Sequence, residues 1–452
     1  MITVEFCIVG LGPAGLGAAL TAARSKHARN TLCIESGVEA SLRSCAILQN
    51  QNCRWSNPCS IVAGVGGAAL MSSGKVSGHP AGRALRGLML EPAAAEFRLD
   101  EALEEFQRYV PIRKHNQTSS ERRAAEAYYA AKGFTFRYYP AHRFANADIV
   151  TGVSKMMEVI LNAGIPIRTE TRVTDIRRVD GGYELATHTR QGHDVVRAKR
   201  VLLATGRSGY ELVSRLLGTE LLTQEIGPID LGVRMEFPSD LWPDIDAHHN
   251  DLKLHFRNAR TFCVCKGGSL APYRVGNVFL MEGYSDPAVQ TAFSNLAVTA
   301  RLHSPDFSPQ IFEAIRRRLL TINGGWPVAQ TLLSFMEEDD LSSALPPFSC
   351  SIKHWRVGKI RRCFDDDTNR EIRHAVNAVA SAFIERSKWK DVSLFAPEVD
   401  FYWPKLRLRR GFSTDSPGLF VAGDAAGHFR GILQAFLTGG EVAAQAIEVT
   451  RD

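Results

Sequence analysis

Residues 1–35 combine an apolar run, a glycine-rich turn and an alanine- and leucine-rich segment. Phe6 to Val9 predicts a buried parallel strand, and the segment after the turn predicts a helix. Between them lies the motif G-x-G-x-x-G, made of Gly10, Gly12, Pro13, Ala14 and Gly15 around a single leucine. The first glycine permits a tight turn, the second lets backbone N–H groups approach a diphosphate, and the third lets the helix lie close to the strand. Since the positive end of the helix dipole favours phosphate charge, this segment predicts a dinucleotide site.

The second predicted strand ends in an acidic residue. Thr31 to Ile34 is apolar or β-branched, and Glu35 and Ser36 follow it. At this distance from the glycine motif, a carboxylate lies where a ribose hydroxyl of adenosine would bind. A strand–helix turn without a ligand would account for the glycines but not for the whole set of strand, turn, helix, second strand and carboxylate. The combination therefore favours a bound dinucleotide.

Composition narrows the class of protein. The chain has 452 residues, of which 45% are hydrophobic and 23% charged, as is typical of a globular enzyme of two or three domains. Its net charge of +6 comes from scattered basic residues, so we expect a small-molecule substrate and no nucleic-acid partner. No apolar run reaches about 18 residues, so we expect no membrane span. The oligomeric state is not indicated.

Cysteine usage indicates a reduced environment. The nine cysteines are an odd number, and Cys7 and Cys33 lie in predicted core strands, so we expect a cytoplasmic protein without a disulfide framework. No histidine lies at zinc-finger spacing from the cysteines between residues 45 and 59, so we expect no metal site. Cys263 and Cys265 are expected on one face of a strand, as small apolar residues of a sheet.

A second stretch of small residues covers Ile61 to Lys75 and includes Gly67. Its glycines and alanines alternate with larger apolar residues, which favours a buried segment packed against something flat, such as the ring system of a cofactor. Lys75 and His79 follow directly. They are candidates for a cationic or hydrogen-bonding group that faces a redox ring.

The middle of the chain continues the same type of domain after an interruption. We predict a helix over 148–163, a strand over 165–176, a hairpin at Gly181-Gly182, and a buried strand from Arg200 that ends at Gly206. Helices are also predicted over 120–132, with Ser119 or Ser120 as N-cap, and over 309–321 and 368–387. Alternating residues over 229–236 predict a strand.

The C-terminal segment carries the second strong motif. Gly418 to Ala422 predicts a short buried strand, Gly423-Asp424 follows it, and a helix is predicted from Ile432 to Val449, directly after Gly431. An aspartate at this strand end can accept hydrogen bonds from ribityl hydroxyls. The helix N-terminus can direct its dipole at the pyrimidine edge of a flavin, where negative charge develops on reduction. Together with the N-terminal motif, this predicts that the dinucleotide is FAD.

At this point the chain resembles the FAD-binding family of two-dinucleotide-fold flavoproteins with glutathione reductase-like topology, and more narrowly the FAD-dependent dehydrogenases and NAD(P)/FAD-dependent oxidoreductases of bacteria. The matching motifs include Gly10 to Gly15 with Glu35, Gly66-Gly67-Ala68 leading to Ser73-Gly74-Lys75, Ile229 to Arg234, Thr261 to Gly268, Asn295 to Ala297, Ala396 to Glu398, and Gly423-Asp424 through Gly431. The sequence departs from the narrower family at Ser73, where an aspartate is more common.

The resemblance implies an α/β fold. We expect a Rossmann-like FAD-binding domain, with a parallel sheet plus a β-meander in three layers, formed by residues 1–80, 148–215 and 401–452. An inserted α+β substrate domain would comprise 81–147 and 216–400. By similarity, Gly12, Glu35, Val173, Asp424 and Ile432 contact FAD. The complete set of candidate cofactor-binding residues is Gly10, Gly12, Pro13, Ala14, Gly15, Glu35, Ser36, Arg43, Gly67, Val173, Gly206, Gly423, Asp424, Gly431 and Ile432.

The expected chemistry is hydride transfer between flavin N5 and a small molecule. Lys75 is the first candidate for a catalytic group, and His428 and Arg430 are candidates for stabilising reduced flavin or binding an anion. Arg234 and Lys266 are weaker candidates. Gly206-Arg207-Ser208-Gly209 is not a second G-x-G-x-x-G, so NAD(P)H, if used, would bind only transiently.

Two other functions remain open. A flavin monooxygenase (hydroxylase) that uses NAD(P)H and O2 needs no separate nicotinamide fold, and would couple oxygen uptake to hydroxylation. A flavin-binding module acting on tRNA or a protein partner would need a basic face with exposed aromatic residues, which the scattered charge disfavours.

Overall fold

The structure is a computed structural model that describes residues 2–302, 304, 306–337 and 350–448. Val449, the predicted end of the last helix, lies outside these residues. So do some residues within the predicted ranges of both domains. Among the described helices, none combines the length and the apolarity needed to cross a membrane.

A parallel sheet forms around the N-terminal strand, as the glycine motif predicts. Thr31–Ile34 and Gly192–Leu203 pair with Ile2–Val9 on its two sides, and both pairs are parallel. Leu419–Val421 pairs in parallel with the end of Gly192–Leu203, which brings the C-terminal motif to the same sheet edge as the N-terminal one. The order across the sheet is Ile167–Arg168, Thr31–Ile34, Ile2–Val9, Gly192–Leu203, Gly182–Thr189 and Arg172–Val179, of which the last three form an antiparallel meander.

The N-terminal strand is buried on both faces. Ile8 packs into the main core, which also contains the first and last helices. Val9 points the other way, into a second core that contains Tyr183 and Leu185 of the meander. Because successive side chains of a strand face opposite sides, the parallel strands separate a helical layer from the meander. The chain therefore has the expected Rossmann-like α/β fold.

A second, eight-stranded sheet contains most of the strands between residues 229 and 400. Its neighbours are antiparallel except for one parallel pair at one edge. The order is Arg356–Val357, Val328–Thr331, Ser393–Asp400, Ile229–Pro238, Phe293–Leu302, Ala259–Cys265, Leu254–Phe256 and Thr135–Phe136. Four further two-stranded pairs are Lys75–Ser77 with Ala141–Arg143, Gln224–Glu225 with Lys405–Leu406, Ser269–Leu270 with Gly283–Tyr284, and Tyr273–Val275 with Val278–Leu280.

The first and last helices cross at very close range. A Cβ added at Gly17 would overlap the carbonyl group of Phe436, and one added at Gly439 would overlap the carbonyl oxygen of Ala14. Small residues on both helices therefore let the two backbones touch, and the ends of the chain are joined through this contact. The described helices are Pro13–Ala23, Leu85–Leu88, Ala95–Gln107, Ser119–Ala131, Asn146–Asn162, Tyr210–Leu216, Ser308–Asn323, Leu332–Glu337, Asp366–Phe383 and Ile432–Glu448.

Two local expectations are wrong. Thr118, not Ser119 or Ser120, caps the helix Ser119–Ala131: its hydroxyl accepts from the N–H of Glu121, whose carboxylate accepts from the N–H of Thr118. This reciprocal capping box satisfies two donors at once, which a cap one residue later would not do. The thiols of Cys263 and Cys265 do not share one regular strand face, because the register shifts between Phe262 and Cys265, and Cys263 has a φ of 52°.

Candidate functional site

A cavity of about 1050 Å³ runs between the two sheets. On one side it is lined by the glycine turn, the stretch of small residues around Gly67, and the segment from Gly423 to Ile432. On the other side it is lined by residues of the antiparallel sheet, among them Lys253 and Phe262. The volume is at the upper end of the roughly 300–1,000 Å³ usual for ligand pockets, so the cavity can hold a large ligand.

Nearly all sequence-predicted site residues line this cavity. The lining includes thirteen candidate cofactor residues and the three catalytic candidates, namely Gly10, Gly12, Pro13, Ala14, Glu35, Ser36, Gly67, Val173, Gly206, Gly423, Asp424, Gly431, Ile432, Lys75, His428 and Arg430. Residues from both ends of the chain thus meet at one place. Gly15 and Arg43 are the two candidates that do not line it.

The glycine turn leaves backbone donors without an acceptor at the start of the first helix. The first helix begins at Pro13, and its first intrahelical bond at this end runs from the Leu16 N–H to the Gly12 carbonyl. Among the described residues, no acceptor bonds the N–H groups of Ala14 and Gly15. These donors carry the positive end of the helix dipole, an arrangement that favours a phosphate.

Close packing explains the glycines at this turn. Gly10 has a φ of 99°, and a Cβ added there would lie 2.5 Å from the Ala204 oxygen. A Cβ added at Gly15 would overlap the Gly10 oxygen, so Gly15 keeps the helix against the strand and has no contact with the cavity. Across the turn, a Cβ at Gly67 would lie 2.8 Å from the Cα of Gly12. Gly67 and Gly12 therefore form a cradle of bare backbone in the cavity wall.

Glu35 holds the turn as well as facing the cavity. Its Oε2 accepts from the Leu11 N–H at 2.8 Å, and its Oε1 accepts from the N–H groups of Gly37 at 2.8 Å and Gly64 at 3.0 Å and from the Ser36 hydroxyl at 3.1 Å. Oε1 is therefore fully occupied by three donors, whereas Oε2 has only one. A ligand hydroxyl can be accepted at the remaining lone pair of Oε2.

Arg43 supports the cavity from behind. Its guanidinium donates to carbonyl oxygens of the stretch from Ser60 to Gly67, including Ser60 at 2.6 Å, Val65 at 3.0 Å and Gly67 at 2.6 Å. Burial lowers the pKa of Arg43 to about 10, although Glu35 acts in the opposite direction. Arg43 does not line the cavity, and its two terminal nitrogens order the glycine-rich segment, so its predicted contact with a cofactor stays a prediction.

Asp424 differs from Glu35 in having no donors. None of the described residues donates a hydrogen bond to its carboxylate, and the nearest cation, Arg430, lies 3.8 Å away between Nε and Oδ2. Burial raises the pKa of Asp424, while Arg430 and Arg207 act to lower it. An acidic acceptor without donors, at the C-terminal end of a parallel strand, is available to the hydroxyl groups of a ligand.

Arg430 is not a free cation. Its guanidinium lies 2.5 Å from Asp400 and 3.0 Å from Glu282, which also pairs with Arg207 at 2.6 Å. Burial disfavours charge on Glu282, but Arg207 and Arg430 outweigh it and lower the pKa of Glu282 to about 2. Arg430 is thus surrounded by carboxylates, and its positive charge is balanced within the protein.

Lys75 is paired with a residue of the antiparallel sheet region. Its ammonium lies 2.9 Å from Asp251 Oδ1 and also bonds the Val264 carbonyl oxygen. The other carboxylate oxygen of Asp251 accepts from the Tyr139 hydroxyl at 2.6 Å. Burial alone would lower the pKa of Lys75, but Asp251 raises it, so Lys75 stays charged. The two histidine candidates are less available to a ligand than Lys75. His428 Nε2 bonds the Leu406 carbonyl at 2.7 Å, and His79 does not line the cavity.

Sequence reasoning missed the wall formed by the antiparallel sheet. Asp251, Lys253 and His255 line the cavity, whereas Leu252 and Leu254 between them are buried. This period-two alternation was visible in the sequence and predicts one polar strand face.

The two weaker catalytic candidates, Arg234 and Lys266, lie elsewhere. Arg234 is fully buried and donates to Asn295 and to the Cys263 carbonyl, and Lys266 pairs with Asp246. Neither lines the cavity.

Comparisons with known proteins give distant likenesses. No family model matches the chain. A curated protein from Clostridium beijerinckii (strain ATCC 51743 / NCIMB 8052), called an uncharacterized protein, is 25% identical over 98% of this chain and 80% of its own length.

Solved structures are similar only weakly. A flavoprotein/dehydrogenase from Cytophaga hutchinsonii aligns with a TM-score of 0.45 and 8% identity, over 99% of this chain and 79% of that one. Glycine oxidase from Geobacillus kaustophilus aligns with a TM-score of 0.42 and 15% identity, over 99% of this chain and 95% of that one. pqsL, a probable FAD-dependent monooxygenase from Pseudomonas aeruginosa, aligns with a TM-score of 0.41 and 15% identity, over 100% and 87%. The fold is therefore assigned from the strand order and the site from the cavity.

Proposed function

We propose that the protein is an FAD-dependent oxidoreductase that acts on a small molecule. One observation carries this proposal: a single cavity joins the glycine turn at residues 10–14 to Asp424 and the N-terminus of the last helix. A dinucleotide whose diphosphate lies at the first helix would thereby reach the second motif with its flavin half. The strands that precede the two motifs both pair in parallel with Gly192–Leu203, so both motifs lie at the carboxyl edge of one sheet. This arrangement supports the same placement of the dinucleotide.

The residues present fit FAD. The N–H group of Ala14, which lines the cavity, would bind the diphosphate beside the bare backbone of Gly12 and Gly67. Asp424 would accept ribityl hydroxyls, since it has no other donor among the described residues. Glu35 would accept a ribose hydroxyl of the adenosine half at Oε2, which has only the Leu11 N–H as donor.

The protein's own groups would supply orientation and charge. When bound, FAD supplies a ring that accepts or donates a hydride at N5. Gly431 and Ile432 begin the last helix, so their end of its dipole would stabilise negative charge on the pyrimidine edge of the ring. Lys75, held by Asp251, would keep a positive charge in the cavity wall without moving a proton. The hydroxylase and the partner-binding module stay as alternatives to be separated by experiment.

Visible absorbance of the purified protein tests FAD binding directly. We expect bound or readily acquired flavin, and a full-length protein that takes up no FAD would overturn the proposal. Asp424→Ala should bind FAD about tenfold or more weakly, because hydrogen bonds to a charged acceptor contribute about 1.5–3 kcal/mol. Asp415→Ala is the matched control, since that carboxylate pairs with Arg409 at the surface.

Reduction experiments then separate the reactions. Anaerobic bleaching of the flavin by NADPH or NADH would identify a transient nicotinamide reductant, and bleaching by a metabolite would identify a dehydrogenase. Oxygen uptake coupled to a hydroxylated product would identify the monooxygenase instead.

A further inference from the structure

We propose that the substrate carries a carboxylate, and that this carboxylate binds to Lys253 and Arg260 on the wall of the cavity formed by the antiparallel sheet. That the ligand is a substrate rests on the proposed function, whereas the binding site itself is inferred from the cavity and its charges. Its starting point is the charge of the lining: among the described residues, eleven lysines and arginines but only six aspartates and glutamates line the cavity. The diphosphate of FAD would neutralise only part of this excess.

Most of the buried cations near this wall already have a carboxylate. Asp251 pairs with Lys75 at 2.9 Å, and Asp400 pairs with Arg430 at 2.5 Å. Asp230 binds Arg301 through both of its oxygens, at 2.7 and 2.8 Å, and also pairs with Arg260. The three carboxylates near this wall are therefore committed to other partners.

Lys253 is the exception. Within the described part of the chain, no residue forms a salt bridge or a hydrogen bond with its ammonium, which lies 4.6 Å from the centre of the Tyr139 ring. Burial and the charge of Arg260 lower the pKa of Lys253 to about 8, although Asp251, Asp400 and Asp230 act to raise it. At neutral pH Lys253 is thus a charged, half-buried donor that faces the cavity without an anion.

Arg260 offers a second donor at the same wall. Its Nη2 is used by Asp230 and Asp400, but its Nε is buried without an acceptor. His255, which also lines the cavity, lies in a positive potential. Burial and the charges of Arg137, Lys253, Arg260 and Arg301 lower its pKa to about 4. One ammonium and one guanidinium N–H match the two oxygens of a carboxylate, whereas a phosphate would leave more oxygens without donors. The rings of Tyr139 and Phe262 flank these donors and would contact the apolar part of such a ligand.

Calorimetric titration of the full-length protein, with and without added FAD, tests this site. The probes are benzoate, its uncharged analogue benzamide, and phenyl phosphate. We expect benzoate to bind about tenfold more tightly than benzamide, because a charge-assisted hydrogen bond is about twice as strong as a neutral one. Lys253→Met should bind the two probes about equally, and Lys253→Arg should retain the preference. Lys388→Met, which changes an exposed lysine, should behave as the wild type.

The outcomes are separable. Equal binding of benzoate and benzamide by the wild type, or an unchanged preference in folded Lys253→Met, would overturn the carboxylate site. Tighter binding of phenyl phosphate than of benzoate would overturn it in favour of a phosphate ligand. If Lys253→Met does not fold, Lys253→Gln gives the same comparison. A protein that prefers benzoate but takes up no FAD would overturn the proposed function and leave the carboxylate site standing.

Discussion

The ammonium of Lys75 lies 2.9 Å from the carboxylate of Asp251, although 176 positions separate the two residues. Lys75 follows the glycine-rich stretch beside the parallel sheet, and Asp251 precedes a strand of the antiparallel sheet. Their side chains are only 5% and 15% exposed, so the pair joins the two sides of the cavity away from water. A lysine that looks like an isolated catalytic candidate in the sequence is thus part of the contact between two sheets.

Removal of the charge on Asp251 should destabilise the protein. Asp251→Asn leaves Lys75 as an uncompensated buried cation, and breaking a buried pair in this way costs about 3–5 kcal/mol. Urea denaturation would measure the loss in the free energy of unfolding. Glu5→Gln, which breaks the more exposed pair with Lys199, should change it by less than about 1 kcal/mol. Similar losses in the two variants would contradict the importance of the Lys75–Asp251 pair.

The stability of the protein should fall in acid partly because of Glu282. Its pKa in the folded state is about 2, below the ordinary value of 4.5, so the unfolded chain binds the proton first. The stabilisation is present above about pH 4.5 and is lost as the pH falls towards 2, and it amounts to about 3 kcal/mol. Denaturation curves recorded across this range should show a shallower pH dependence for Glu282→Gln. The exposed residue Glu126 provides the control, since Glu126→Gln should leave the slope nearly unchanged.

Loss of the Arg43 guanidinium should loosen the glycine-rich wall. Arg43→Met leaves several carbonyl oxygens between residues 60 and 67 without a donor, and each buried unsatisfied group costs about 1–3 kcal/mol. Hydrogen exchange measured by mass spectrometry should increase in this segment, and FAD should bind more weakly. Arg43→Lys should not restore protection, because an ammonium cannot reproduce the planar set of donors. Unchanged exchange in residues 60–67 of Arg43→Met would argue against this role.

The contact between the first and last helices gives a prediction with an internal control. Gly439→Ala places a methyl group against the Ala14 carbonyl, so the helices must separate, and overpacking of this kind costs about 1–3 kcal/mol. Gly87 has nothing within 4 Å of an added Cβ and lies in the helix Leu85–Leu88. Gly87→Ala should therefore stabilise the protein by about 0.5–1 kcal/mol. Thermal unfolding should shift in opposite directions for the two variants, and a shift in the same direction would refute the explanation.

Much of the parallel sheet could be predicted because its signals are local. A strand of apolar residues, a glycine turn and a small-residue helix are encoded within residues 6–23, and the meander and the C-terminal strand have similar short signatures. The cap at Thr118 and the bulge at Cys263 could not be placed with the same precision. Each depends on which of several neighbouring residues satisfies a backbone donor or shifts the register, and such alternatives differ little in sequence.

The cavity wall shows which features the sequence determined and which the tertiary structure decided. From the sequence alone, the residue types at the glycine turn and around Asp424 could be assigned to a dinucleotide site, because a phosphate and a ribityl chain each require particular chemistry at particular places along a strand–helix unit. Only the tertiary structure decided that Oε1 of Glu35 is already occupied by three donors, that Arg430 is neutralised by carboxylates, and that Lys253 has no such partner. The reason is physical: whether a charge is available to a ligand depends on which opposite charges are within a few ångströms of it. Lys75 and Arg430 each have such a partner more than a hundred positions away along the chain.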